Sequence, residues 1–272
     1  VQTIPAAFAR DNSATLTFGI VPQRSPTLLA KAWAPVLDAV SKATGVALRF
    51  VTTKDIPTFE ACLAKGAYDF AYMNPYHYIV FHSVTGYRAF AHEKGVTLQG
   101  IVVARKSAKQ LTLKDLNGTE LAFPSPGAFA ASVIPRAEMV AAGISFTPIY
   151  VKSHDSVYLS VAAGLYPAGG GIVSTFDIMP NDITDSLEII FRTKNYPPHA
   201  FAAHPNLDDE KIQRISKAMS DIGETDSALL ESVGMSGFQP AEDSDWDGIR
   251  ALKLTKADTK VASEGGTLCP SD

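Results

Sequence analysis

Thr15-Leu16-Thr17-Phe18-Gly19-Ile20-Val21-Pro22-Gln23-Arg24-Ser25-Pro26 joins an apolar, β-branched run to a proline stop, a polar turn and a helix start. A short apolar run of this composition reads as a buried strand. Ser25 is placed as an N-cap, because its hydroxyl can accept from unpaired N–H groups of the first turn. Pro26 fits the first helical position, where no N–H is needed. Leu29, Trp33, Val36, Leu37 and Val40 then recur at spacings of three and four, which gathers them on one helical face. The helix should stop at Gly45, and Val46-Ala47-Leu48-Arg49-Phe50-Val51 resumes as a strand. Strand, helix and strand in this order form the unit of a parallel sheet with helices on its faces.

The pattern repeats along the chain. Asp55 can cap a helix through Phe59 and Leu63 to Gly66, ahead of the strand Tyr68-Asp69-Phe70-Ala71-Tyr72. Leu121-Ala122-Phe123 runs into Pro124-Ser125-Pro126-Gly127, read as a second Ser-Pro helix start. Ile149-Tyr150-Val151 runs into Ser153-His154-Asp155, with Val157 and Val161 on the helix and Gly164 at its stop. Three strands thus end in short polar turns at helix N-termini, the edge at which open α/β sheets take ligands. Several such starts converging would hold an anion, through unpaired N–H groups and the positive ends of the helix dipoles; each by itself only caps a helix.

Two segments suggest where the chain changes lobes. Leu98-Gln99-Gly100-Ile101-Val102-Val103-Ala104-Arg105 leaves the first lobe. Ile189 to His199 returns, leading to the extended Ala200-Phe201-Ala202-Ala203-His204. The expectation is an α/β protein of two α/β lobes joined by a two-strand hinge, with the ligand cleft between them. Lobe I would comprise 1–102 plus 202–272, and lobe II 103–201. Helical material around Ile212, Ile215 and Met219, with Leu229 and Leu230, completes the last third.

The chain has 272 residues, and 24 Lys plus Arg against 28 Asp plus Glu leave a net charge of -4. Without a basic run it has no electrostatic footprint for nucleic acid or anionic lipid, so no nucleic-acid partner is expected. No apolar stretch approaches the roughly 20 residues that span a bilayer. The start, Val1-Gln2-Thr3-Ile4-Pro5-Ala6-Ala7-Phe8-Ala9, lacks a charged n-region, so it holds no intact signal peptide. Ala6, Ala7 and Ala9 fit the residue of a processed export segment. Cys62 lies on an apolar helix and Cys269 in a Gly/Ser-rich tail. They either form one bridge, which needs an oxidising compartment, or remain one buried and one exposed thiol.

Catalytic motifs are missing. There is no Gly-x-Ser-x-Gly elbow, phosphate loop of the Walker type or His-Glu-x-x-His, and no His-x-His metal spacing. No enzyme, cofactor or metal site is therefore expected. Gly169-Gly170-Gly171 reads as a place of close backbone approach rather than a phosphate loop. Tyr72-Met73-Asn74-Pro75-Tyr76-His77-Tyr78 sets three tyrosines, an imidazole and an amide directly after a strand. Because Asn-Pro signals a turn, at least one of Asn74, Tyr76 and His77 should face a ligand.

These stretches carry a family resemblance. Phe18-Gly19-Ile20-Val21-Pro22-Gln23, Tyr68 to Pro75, Leu116-Asn117-Gly118 with Leu121-Ala122-Phe123, Ser153-His154-Asp155-Ser156-Val157, and Tyr196-Pro197-Pro198-His199 resemble in order and spacing the phosphate/phosphite/phosphonate-binding periplasmic proteins of ABC transporters. The resemblance implies a type II periplasmic binding protein that closes on its ligand by hinge motion. It implies an exported, periplasmic chain that hands a small anion to a membrane permease. The alternative is an oxyanion sensor, for example of arsenic oxyanions, docking on a sensor histidine kinase. Phosphonate binders of the family resemble one another in a Ser-Thr-Ser run at a helix start. Here Ala128-Phe129-Ala130 stands at the matching positions, between Ser125 and Ser132, so that run's hydroxyl donors are absent and Phe129 adds an apolar wall. His154 matches a ligand-contact position. His199 stands where aminophosphonate binders resemble one another in an acidic residue, which disfavours an aminoalkyl ligand. The expected contact set is Gln23 and Arg24, Asn74, Tyr76 and His77, Ser125 to Phe129, His154 with Asp155, and Tyr196 with His199. In it His154 donates to the anion, Asp155 caps its own helix, Tyr76 supplies a hydroxyl and Phe129 excludes water.

Overall fold

The computed structural model describes residues 15–107, 111–252 and 269. The expectations placed on the first fourteen residues and on the Gly/Ser tail before Cys269 lie outside them. From its start the chain lays down β1 (Leu16–Ile20), α1 (Pro26–Thr44), β2 (Leu48–Val51), α2 (Ile56–Ala64), β3 (Phe70–Met73), α3 (Pro75–Thr85) and β4 (Arg88–Glu93). A second set follows: β5 (Leu98–Arg105), β6 (Thr119–Phe123), a π-helical turn (Phe129–Val133) continuing into α4 (Ile134–Ala141), β7 (Phe146–Tyr150), α5 (His154–Ala162), β8 (Ala168–Ile172), α6 (Val173–Asp177), α7 (Asn181–Ser186) and β9 (Leu187–Tyr196). The chain then returns through β10 (Ala200–Ala203), α8 (Asp209–Thr225), α9 (Ser227–Glu231), β11 (Phe238–Pro240) and α10 (Asp247–Arg250).

The strands make two sheets, ordered β11-β4-β10-β3-β1-β2 and β7-β6-β8-β5-β9. Each is mixed. The β1–β2 and β1–β3 pairs are parallel, as strand–helix–strand units require, while β10 returns antiparallel between β3 and β4. In the second sheet β6–β7 and β6–β8 are parallel, and β5 runs antiparallel to both β8 and β9. The chain passes between sheets at 94–97 and 197–199.

Ser25 does cap α1, accepting from the Leu28 N–H, and Leu29, Trp33, Val36, Leu37 and Val40 are all buried. Burying side chains of this size contributes about 1.5–3 kcal/mol each, which outweighs a proline within the helix at the exposed Pro35. Trp33 packs at 5.2 Å from Tyr72 and 6.0 Å from Phe201, and Phe18 stacks at 5.6 Å on Phe70, so the first sheet carries an aromatic core. Gly169 to Gly171 lie inside β8, fully buried. A Cβ at Gly170 would sit 2.1 Å from the Ala131 carbonyl, and one at Gly171 2.2 Å from the Tyr158 hydroxyl. The triple glycine is thus a seat for close packing. Cys62 and Cys269 are joined in a disulfide with their Cα atoms 5.7 Å apart, which fastens the tail to α2.

One helix start differs from expectation. Ser125-Pro126-Gly127-Ala128 closes as a turn, with the Ala128 N–H on the Ser125 carbonyl at 3.4 Å, and the helix begins at Phe129 behind an Ala128 cap that makes no side-chain bond. A Pro-Gly pair favours a turn over a helical first turn, so Ser125 caps nothing.

Candidate functional site

Four helix starts meet between the lobes. Ile56 opens α2 behind the Asp55 cap, whose carboxylate accepts from the Thr58 N–H at 3.0 Å. Asn74 caps α3 through the His77 N–H at 2.8 Å. Ala128 to Ala131 form the cap and first turn of the helix that leads into α4, and His154 opens α5 behind the Ser153 cap. Ile56, Asn74, Ala128 to Ala131 and His154, together with Val21, Gln23, Ile172 and His199, line a narrow pocket with about 10 Å³ of cavity volume. The four starts turn the positive ends of their helix dipoles towards the pocket, although first-turn N–H groups of α2, α3 and α5 are already bonded to Asp55, Asn74, Gln23 and Ser153; among the described residues no charged side chain lines it.

The lobes touch around this pocket. The His154 N–H donates to the Gln23 carbonyl at 2.8 Å, and Asn74 Nδ2 donates to the Gly127 carbonyl at 3.1 Å. Arg24 Nε reaches both carboxylate oxygens of Asp155, at 3.1 and 3.2 Å. Asp155 therefore does not cap its helix: Ser153 holds that place, and the carboxylate turns to the other lobe's guanidinium. Burial outweighs the pull of Arg24 and leaves the Asp155 carboxyl above its ordinary range. Phe129 and its alanine neighbours pack into the first lobe's core, with Phe129 edge-on to Tyr196 at 5.3 Å.

Two imidazoles face the pocket. His154 is buried, and its Nδ1 lies 2.9 Å from the Thr175 hydroxyl. His199 stacks on Tyr72 at 5.0 Å, with Nε2 3.0 Å from the Gln23 amide nitrogen. Burial pushes both pKa values down to about 3; for His199 the neighbouring His77 and His154 add to the effect. At neutral pH both are uncharged, so each carries one N–H donor and one acceptor nitrogen and no positive charge.

Of the expected residues, Gln23, Asn74, Phe129, His154 and His199 line the pocket, with Arg24 and Asp155 clasping its rim. His77 points away. As the third residue of α3 it turns towards α2, where its Nε2 lies 2.8 Å from Glu60 Oε1, both side chains within 1% of full burial. Tyr76 is buried in α3 and Tyr196 packs on Phe129, and neither lines the pocket. Ser125 Oγ is buried outside it without a partner. Glu60, Thr175 and Tyr158 were not singled out from sequence. Glu60 is the one with a visible signal, a lone charge inside the apolar run Phe59-Glu60-Ala61-Cys62-Leu63. Among the described residues no cluster of His, Cys, Asp and Glu could hold a metal ion, and no helix is long and apolar enough to cross a membrane.

Comparison with known proteins shows the family and the fold. Residues 18–246 match the family model described as ABC transporter, phosphonate, periplasmic substrate-binding protein. The chain is 24% identical, over 87% of its length and 84% of the relative's, to the phosphate-import protein PhnD of Mycolicibacterium smegmatis. Its fold is similar to that of PhnD1 from Prochlorococcus marinus solved in complex with methylphosphonate, with a TM-score of 0.80 and 16% identity over 88% of this chain and 96% of that one. It is similar also to a binding protein component of an ABC phosphonate transporter from Pseudomonas aeruginosa, with a TM-score of 0.77 and 18% identity over 88% and 85% of the two chains.

Proposed function

The chain belongs to the periplasmic substrate-binding proteins of ABC phosphonate transporters, and we propose that its interlobe pocket captures a small phosphonate-type oxyanion for delivery to a membrane permease. The observation that carries this reading is the convergence of four helix starts on one small pocket lined by neutral donors. Backbone N–H groups of the first turn at Phe129 to Ala131, the Gln23 and Asn74 amides, and His154 and His199 would bind the oxygens. Val21, Ile56, Phe129 and the alanines would cover a part of the ligand that needs no hydrogen bonds. That division suits an alkyl- or hydrogen-phosphonate, whose carbon or hydrogen substituent asks for no partner, better than phosphate, whose fourth oxygen would be desolvated unpaired. Arg24 and Asp155 would clasp the closed lobes, while Tyr76, His77, Ser125 and Tyr196 would shape the walls from behind.

Capture and release proceed by hinge closure and need no covalent step. The comparisons lend no support to the kinase-docking alternative. Membership of a periplasmic family supports export of this chain.

A thermal-shift screen at neutral pH tests the ligand class. Methylphosphonate and phosphite should stabilise the protein, by about 2.7 kcal/mol at 100 times the dissociation constant. 2-Aminoethylphosphonate should stabilise less, because His199 offers its ammonium no carboxylate. No shift with any phosphorus oxyanion would count against the reading.

A further inference from the structure

A neutral imidazole carries one N–H, so His154 can serve an anion only when that proton sits on the nitrogen facing the pocket. We infer that Tyr158 and Thr175 hold His154 in the Nε2–H tautomer through a directed chain of hydrogen bonds, so that a donor always faces the oxyanion. This rests on the reading of the pocket as an oxyanion site.

The distances give the chain its direction. The Tyr158 oxygen accepts from the Ile172 N–H at 3.2 Å, and its one proton can go to the Thr175 hydroxyl at 2.8 Å or to the Ile172 carbonyl at 3.1 Å. Hydroxyl-to-oxygen bonds centre on about 2.7–2.8 Å, so it goes to Thr175. Thr175 can then donate to His154 Nδ1 at 2.9 Å or to the Ile172 carbonyl at 3.2 Å. The second lies beyond the usual O–H···O range, so Nδ1 accepts and the imidazole proton stays on Nε2.

Burial keeps the chain in one arrangement. Tyr158, Thr175 and His154 are at most 4% exposed, which leaves no solvent to reverse a donor. His154 stays neutral because burial holds its pKa near 3, and burial keeps the Tyr158 phenol protonated. The triple glycine makes the arrangement possible, since any side chain at Gly171 would displace the Tyr158 hydroxyl. The opposite tautomer would aim a lone pair at the oxyanion and replace a charge-assisted bond by repulsion. Neither Tyr158 nor Thr175 lines this pocket, although Thr175 borders the adjoining cleft beside Arg24 and Tyr72, so towards this pocket both act through His154 as positioning residues.

Two-bond 1H–15N spectra of uniformly labelled protein read the tautomer without any ligand, and calorimetric titration with methylphosphonate reads its consequence. In the wild type His154 should be protonated at Nε2. Thr175→Val keeps the shape and removes the hydroxyl; it should populate the Nδ1–H tautomer and weaken methylphosphonate binding roughly 10- to 100-fold. Thr175→Ser should restore both readouts, and Tyr158→Phe should lose part of each. A wild-type spectrum showing Nδ1–H overturns the inference, as does a folded Thr175→Val protein that keeps Nε2–H. If Thr175→Val fails to fold, the wild-type and Tyr158→Phe spectra decide. A wild type that shows Nε2–H, shifts on Thr175→Val and yet takes up no methylphosphonate leaves the relay standing and refutes the ligand class instead.

Discussion

A histidine that must gain a proton to reach its unfolded state leaves a mark on the pH dependence of stability. Burial holds the folded pKa values of His154 and His199 near 3, against an ordinary 6.5. Between those values the unfolded chain binds the extra proton. Stability from each group is therefore full above 6.5 and is lost as pH falls towards 3. At pH 5 the loss is about 2 kcal/mol per histidine. Glu93, raised to about 7 by burial, works in the opposite sense, so the difference between variants is cleaner than the total. In urea unfolding at pH 7 and pH 5, His199→Gln should lose about 2 kcal/mol less than the wild type over that interval; equal losses would mean that His199 is charged in the folded protein. Ala128→Ser restores a hydroxyl at the helix start and should tighten methylphosphonate binding by roughly 10-fold, read by calorimetry. At this scale the sequence was informative where a polar residue follows a strand, as with Gln23, Asn74 and His154. It was silent on Thr175 and Tyr158, whose roles depend on their meeting across β8.

Among elements, local patterns specify helices well and helix starts less well. The apolar face of α1 was legible in its spacing, and it persists through Pro35 because tertiary burial outweighs a local penalty. The start at Phe129 was not legible. The first turn there presses the Ala130 and Ala131 carbonyls to within 2.1 Å of where Cβ atoms at Gly100 and Gly170 would be. That fit joins residues 30 to 40 positions apart, and no window of sequence reports it. The same holds for the tail: two cysteines permitted a bridge, and only the fold brings Cys269 onto α2. Cys269→Ser removes closure of a loop spanning 207 residues and should cost about 2–5 kcal/mol in equilibrium unfolding under oxidising conditions. An unchanged midpoint would mean that the bridge adds nothing to stability.

For the whole molecule, a net charge of -4 and an anion site are compatible because the pocket's potential comes from oriented backbone, which formal charge does not count. The two-lobe plan was legible in two sets of strand–helix units, although the chain crosses between the sheets in the short segments 94–97 and 197–199, with β5 and β9 both inside the second sheet. The closed arrangement was not, since Arg24 and Asp155 are 131 positions apart. Arg24→Ala should favour separated lobes, seen as a larger radius of gyration by small-angle scattering, with saturating methylphosphonate restoring the compact form. It should also weaken affinity by the fraction of closed state lost. The central claim, that helix starts and neutral donors between the lobes bind a phosphonate-type oxyanion, is tested most directly by calorimetric titration of methylphosphonate into the wild type and His154→Ala. The account predicts saturable one-site binding that falls at least tenfold in the variant. Absence of binding in the wild type, or equal affinity in the two proteins, would contradict it.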